Sequence, residues 1–216
     1  MTTITFFALI LIGWILILLL ERNGMFFADK TWHEKMFYSL FQSVTTRNGG
    51  LATMDVSLFS NPTLLMMCAL MFIGASPSSV GGGIRTTTFA IILLAIYNFA
   101  RGRQNIKVFG REIATEDIIR SFIVMSTAGM LCLSAVIILA QIEEFQLMPI
   151  IFEVSSAFGT TGLSMGITPE LSTAGKVVII CLMFIGRIGI FSFLFLIRGN
   201  PIKDNYQYPQ EKVIIG

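Results

Sequence analysis

The chain has 216 residues, of which 54% are hydrophobic and only 13% charged, against about 25% charged in an ordinary soluble domain. A net charge of +2 offers no basic surface for a nucleic acid, and none is expected as a partner. A mean hydropathy of +0.77 excludes a soluble fold that hides its apolar surface and points to an all-α protein in a lipid bilayer.

The first apolar run, Ile4–Leu20, has nearly the roughly 20 residues that cross about 30 Å of hydrocarbon. It lacks the basic leader and small-residue cleavage site of a signal peptide, so it reads as a span. A short segment follows at 33–45, with Tyr38, Gln42, Ser43 and Thr45 among its apolar residues. About 13 residues make roughly 20 Å of helix, too short to cross. It is either an interfacial helix or a re-entrant half-helix, and the glycine turn Thr45–Leu51 that follows favours the second. Next comes Pro62–Ala75, which continues past a break to Ala100.

Residues 101–117 form a loop opening with Arg101, Arg103, Lys107 and Arg111 and no acid among them, the pattern of a cytoplasmic loop. A third span, Ile118–Ala140, leads into a second short segment at 145–158 with Glu153, Ser155 and Ser156, and a second turn, Phe158–Leu163. The run Lys176–Ile197 is read as one continuous final span, and 199–216 as a tail. Four spans place both termini on the cytoplasmic side. Cys68, Cys132 and Cys181, like Met66, Met67 and Met71, sit inside apolar runs and read as packing residues, without metal-ligand spacing. His33 reads as an interfacial residue.

The chain repeats itself. Leu70–Gly74 recurs letter for letter as Leu182–Gly186, an offset of 186 − 74 = 112, and Gly50-Leu51 aligns with Gly162-Leu163 at the same offset. Internal symmetry of this kind marks transport proteins. The expected architecture is therefore two tandem units, each a span, a re-entrant pore helix and a span, over 1–100 and 118–198.

Non-helical backbone survives at membrane depth only where it is buried in protein or lines a watery cavity. Turns rich in glycine and hydroxyl residues aim carbonyls at a dehydrated cation, and the preceding half-helix points its negative end at the same place. Between the two halves of the second run, Ser76-Pro77-Ser78-Ser79-Val80-Gly81-Gly82-Gly83 breaks the helix. It is either a plain connection or an intramembrane loop. Arg187 lies inside the last apolar run, where a charge is costly and faces a polar interior. It either locks helices together or serves the pathway. Arg85 reads as a surface anchor on the cytoplasmic side.

The stretches at 43–51, 74–86 and 155–166 resemble the third and fourth repeats of the Trk/Ktr/HKT superfamily of potassium transporters, most nearly the KtrB-type translocating subunits. The resemblance covers essentially the whole chain. It implies potassium transport through a channel-like pore in a bacterial plasma membrane. The selectivity filter would comprise Arg47, Asn48, Gly49 and Gly50 with Gly159, Thr160, Thr161 and Gly162, acting mainly through backbone carbonyls. The implied gate comprises Gly74, Ser76, Pro77, Ser78, Ser79, Gly81, Gly82, Gly83 and Arg187. The cargo is K+, with Na+ left open, and no covalent cofactor is expected. The implied partners are an amino-terminal half of the pore, a second copy of the membrane subunit, and a cytoplasmic nucleotide-binding regulatory ring. The first two repeats of the family pattern are absent, so the chain is expected to be a fragment or a separately built half, or else one of two copies that pair to form a single pore, the fragment being favoured. No nucleophile–base set or phosphate loop appears, and no enzyme activity is expected. The competing readings are a non-conducting structural subunit and a proton-translocating coupling subunit.

Overall fold

The computed structural model describes residues 1–198 apart from 23, 25, 26, 78, 103–105 and 109. The tail at 199–216, Ser78 and Arg103 therefore lie outside the described residues. In chain order the helices are α1 (Thr2–Leu20), α2 (Trp32–Thr45), α3 (Asn61–Phe72), α4 (Thr86–Ala100), α5 (Thr115–Ile142), α6 (Leu147–Gly159), α7 (Thr173–Ile188) and α8 (Ile190–Arg198). A two-stranded antiparallel hairpin, β1 (Lys107–Val108) with β2 (Arg111–Glu112), bridges α4 and α5 and pairs Lys107 with Glu112.

Two helices, α1 and α5, are long and apolar enough to cross a membrane singly. Their 19 and 28 residues span about 28 and 42 Å at 1.5 Å per residue. Each keeps large apolar side chains on the outside, among them Phe7, Leu11 and Ile15 of α1 and Met130, Leu133 and Ile137 of α5. Such surface suits lipid and not water. The last apolar run departs from expectation. It is not one straight helix, because α7 and α8 meet at an angle of 101°. The break is Gly189, whose φ of +88° ends α7 in a conformation that side chains resist.

Of the two half-helices, α6 is the more deeply packed. Helix α2 lies on α1, where Ser43 Oγ donates to the Ile10 carbonyl at 2.7 Å and Trp14 Nε1 donates to the Met36 carbonyl at 3.1 Å. The approach is close because Gly13 of α1 faces Ser43 without a side chain. Helix α6 packs against α3, α5 and α7 and belongs to both cores. Phe158 joins Val124, Leu139, Ile179 and Leu182 in one, and Phe152 joins Leu64, Met67 and Met71 in the other. Burying side chains of this size stabilises by about 1.5–3 kcal/mol each.

A glutamate follows the first long helix in each half of the chain and ties it to a later one. Glu21 caps the end of α1, is wholly buried, and accepts from the Ser60 N–H at 2.8 Å and its hydroxyl at 2.7 Å. Ser60 is the N-cap of α3. Glu143 caps the end of α5 and accepts from the Ser172 N–H at 3.1 Å and its hydroxyl at 2.6 Å. Ser172 is the N-cap of α7. A carboxylate at a helix N-terminus complements the helix dipole, so each glutamate fixes where the following helix begins. The serines obey the offset found in the sequence, 172 − 60 = 112.

Candidate ion-binding turns and the loop beside them

Helix α2 begins with a capping box, in which the Thr31 N–H and hydroxyl donate to Glu34 Oε2 at 2.7 and 2.9 Å. These bonds hold the exposed Glu34 carboxyl below its usual range. The helix ends at Thr45, and the chain turns through 46–50 with the Gly49 and Gly50 N–H groups both donating to the Thr45 carbonyl, at 2.9 and 3.3 Å. Thr45 Oγ1 donates to the Leu51 carbonyl at 2.7 Å and lies 2.9 Å from the Leu51 N–H, closing the turn from both sides. Asn48 and Gly50 have φ of +91° and +61°. Helix α6 ends in the corresponding way. Thr160 is left-handed at φ +51°, the Thr161 N–H donates to the Ser156 carbonyl at 2.9 Å, and Gly162 has φ +93°.

The two turns lie against each other. A Cβ on Gly50 would stand 2.2 Å from the Thr161 carbonyl oxygen, and one on Gly162 would stand 3.6 Å from Gly50 Cα. All eight turn residues singled out in the sequence thus fall in two adjoining turns at the ends of α2 and α6. With its amide oriented to satisfy its neighbours, Asn48 Nδ2 donates to the Gly159 carbonyl at 2.8 Å and the Thr160 carbonyl at 3.3 Å, and Oδ1 accepts from the Gly81 N–H at 3.2 Å.

Each turn is propped from behind by a charged residue. Arg47 is only 6% exposed, and its guanidinium donates to the carbonyl of Ile73, the C-cap of α3, where a cation suits the helix dipole. Its side chain therefore leaves the turn. Glu153 of α6 is 5% exposed and accepts from the Thr168 hydroxyl at 2.9 Å, the Met165 N–H at 3.3 Å and the Ser164 hydroxyl. The sequence marked Glu153 only as a polar residue in a half-apolar helix.

The break between α3 and α4 is an ordered loop folded back on itself. The Ile84 N–H donates to the Phe72 carbonyl at 3.1 Å and the Ala75 N–H to the Gly82 carbonyl at 3.2 Å. Gly74 and Gly82 touch so closely that a Cβ on Gly74 would lie 1.9 Å from the Gly82 oxygen. Gly81, Gly82 and Gly83 are buried, while Pro77, Ser79 and Val80 are exposed. The loop rests on the second turn, with the Gly82 N–H donating to Thr160 Oγ1 at 2.8 Å. Arg187, in the last turn of α7, donates to the Val80 carbonyl. The Arg85 guanidinium donates to the carbonyls of Gly81 at 3.0 Å and Ser76 at 3.3 Å. The described residues contain no cluster of His, Cys, Asp or Glu fit for a metal ion. The backbone carbonyls and hydroxyls of the turns are hard oxygen ligands, suited to an alkali cation.

Known proteins resemble the chain in sequence and in fold. Residues 1–206 match the family described as TrkH, cation transport protein. The chain is 58% identical over 215 residues to the Ktr system potassium uptake protein D of Bacillus subtilis (strain 168), covering 100% of this chain and 48% of that protein. It is 38% identical to the potassium/sodium uptake protein NtpJ of Enterococcus hirae, over 97% of this chain and 48% of the relative. The crystal structure of the potassium transporter TrkH from Vibrio parahaemolyticus shares the fold, with a TM-score of 0.74 at 18% identity over 89% of this chain and 43% of the other. The chain thus spans about half the length of the relatives it matches.

Proposed function

The chain belongs to the TrkH family of cation transport proteins, and from that premise we propose that it forms part of a potassium-selective pore through the membrane. The observation that carries the reading is the contact of the two turns. Each ends a short half-helix, each has residues at positive φ, and Gly50 of one abuts the Thr161 carbonyl of the other. The C-terminal dipoles of α2 and α6 lower the cost of a dehydrated cation there, and carbonyls of 47–50 and 159–162 replace its water.

On this reading 1–100 and 118–198 are two span–pore helix–span units, and they supply two filter turns of four. An amino-terminal half supplies the rest. The loop from Gly74 to Gly83, with Arg187 against the Val80 carbonyl, is the gate. Potassium is the cargo. The name of the Enterococcus relative includes sodium, which makes Na+ the second cation to test. The basic loop at 101–117 faces the cytoplasm and a nucleotide-binding regulatory ring, the termini lie on that side of a bacterial plasma membrane, and the whole subunit pairs with a second copy. Transport of this kind involves no covalent chemistry.

Radioactive rubidium uptake into vesicles holding the full-length protein tests the proposal. Uptake that excess K+ suppresses more than Na+ does is expected, and Gly50→Ser and Gly162→Ser should abolish it or relax that preference. No uptake by correctly inserted protein would leave a non-conducting structural role instead.

A further inference from the structure

The gate loop and the filter turns are joined by two side chains whose role the pore reading leaves unassigned. Asn48 and Thr160 hold the same place in their turns, 160 − 48 = 112, and they are the two described non-glycine residues with positive φ. That conformation is uncommon for any side chain and more so for a β-branched one. Both reach the same spot. Asn48 Oδ1 accepts from the Gly81 N–H at 3.2 Å and Thr160 Oγ1 accepts from the Gly82 N–H at 2.8 Å. Gly81 and Gly82 are buried, so without these acceptors two backbone donors would go unsatisfied. The fit leaves no room for larger residues. A Cβ on Gly81 would lie 1.7 Å from the Asn48 amide atom that faces it, Oδ1 in this orientation, and one on Gly82 2.7 Å from Thr160 Cγ2.

We infer that Asn48 and Thr160 form a latch that holds the Gly81–Gly82 backbone against both filter turns, so that loop release and filter shape share one equilibrium. Asn48 bonds the Gly159 and Thr160 carbonyls through the same amide that receives Gly81. A loop that leaves therefore frees the atoms that tension the second turn. Strained backbone persists only where its surroundings over-determine it, and the loop is part of those surroundings. The coupling runs both ways, as any linkage must. A cation that orders the turns tightens the latch, and a loosened latch weakens cation binding. The functional consequence rests on the pore reading. The latch itself does not.

The test uses the detergent-solubilised full-length protein with Ser79→Cys as the sole cysteine, labelled by a water-soluble maleimide. Ser79 sits exposed at the loop's tip, three residues before Gly82. Thr160→Val keeps the shape at position 160 and removes the acceptor. It should raise the labelling rate roughly two- to tenfold, the effect of one net hydrogen bond, and Thr160→Ser should restore it. Asn48→Ala should act in the same direction. Added K+ should slow labelling of the parent protein and do so less in Thr160→Val. A Thr160→Val rate equal to the parent's, or a Thr160→Ser rate as high as Thr160→Val, overturns the latch. If the latch holds but the vesicles take up no rubidium, the pore reading alone fails.

Discussion

The same five residues, Leu-Met-Phe-Ile-Gly, occur at 70–74 and 182–186 and meet different fates. In the first, the helix stops at Phe72 and the chain enters the loop. In the second, it continues through Gly186 to Ile188. The pentapeptide cannot decide the outcome, so its sequel must. After Gly74 come Ala75, Ser76 and Pro77, and after Ser78, Ser79 and Val80 three glycines. Proline disfavours helix in the residue before it and removes a donor. After Gly186 come Arg187 and Ile188, which propagate a helix until Gly189. Both glycines are nonetheless used alike, for close backbone approach. Gly74 meets the Gly82 carbonyl, and Gly186 meets that of Phe158, 2.1 Å from where a Cβ would be. Similarity of sequence here preserves the contact surface of the helix and leaves its length to the flanking residues.

The contrast extends to what supports each turn, and it can be broken experimentally. The largest effect is expected from Glu153→Ala. It removes the acceptor shared by Ser164, Met165 and Thr168, at about 1.5–3 kcal/mol for a single bond to a charged group. Arg47→Ala removes one bond, to the Ile73 carbonyl, and should destabilise less. Thermal unfolding of the purified protein ranks the two, and the reverse order would mean that the arginine, not the glutamate, is the stronger prop.

A smaller difference should separate the two glutamate–serine clasps. Glu21→Ala strips a fully buried partner from Ser60 and should cost about 1–3 kcal/mol. Glu143→Ala acts at a partly exposed site where water replaces the lost bonds, and it should cost well under half of that. Equal melting temperatures would show that burial does not distinguish the halves. Least of all is expected from Thr31→Ala, which opens the cap of α2. The Thr31 bonds depress the Glu34 carboxyl. Their contribution is present above the ordinary carboxylate range and fades as pH falls through the depressed value. The variant should therefore match the parent in strong acid and fall slightly below it near neutrality.

Much of this was legible in the sequence, and the limits have physical causes. The helices show because lipid tolerates apolar residues on every face, so α1 and α5 stand out by composition. The turns show because positive φ selects glycine, as at Gly50 and Gly162. Glu153 was visible only as a polar residue in a half-apolar helix, and Arg47 only as a filter residue acting through its backbone carbonyl. Their partners stand 26 and up to 15 positions away, and only the folded chain brings them together. The clasps escaped because the glutamates break the offset, 143 − 21 = 122 against 112 for their serines. The segment between the first long helix and the short helix is longer in the first half, and this shifts the register. The bend at Gly189 escaped because a single glycine inside an apolar run is often tolerated within a helix.

The clasps also bear on the order in which the protein assembles. Glu21 and Ser60 are 39 residues apart and Glu143 and Ser172 are 29, so each closes a loop inside its own half. The entropy of closing the two loops differs by only a few tenths of a kcal/mol. The bonds that join the halves span far more chain, 78 residues from Gly82 to Thr160 and 107 from Val80 to Arg187. A chain delivered from its amino terminus can staple its first helical hairpin before α6 and α7 exist. Only when α7 has arrived can Arg187 reach Val80, which makes the seating of the loop a late event in biogenesis.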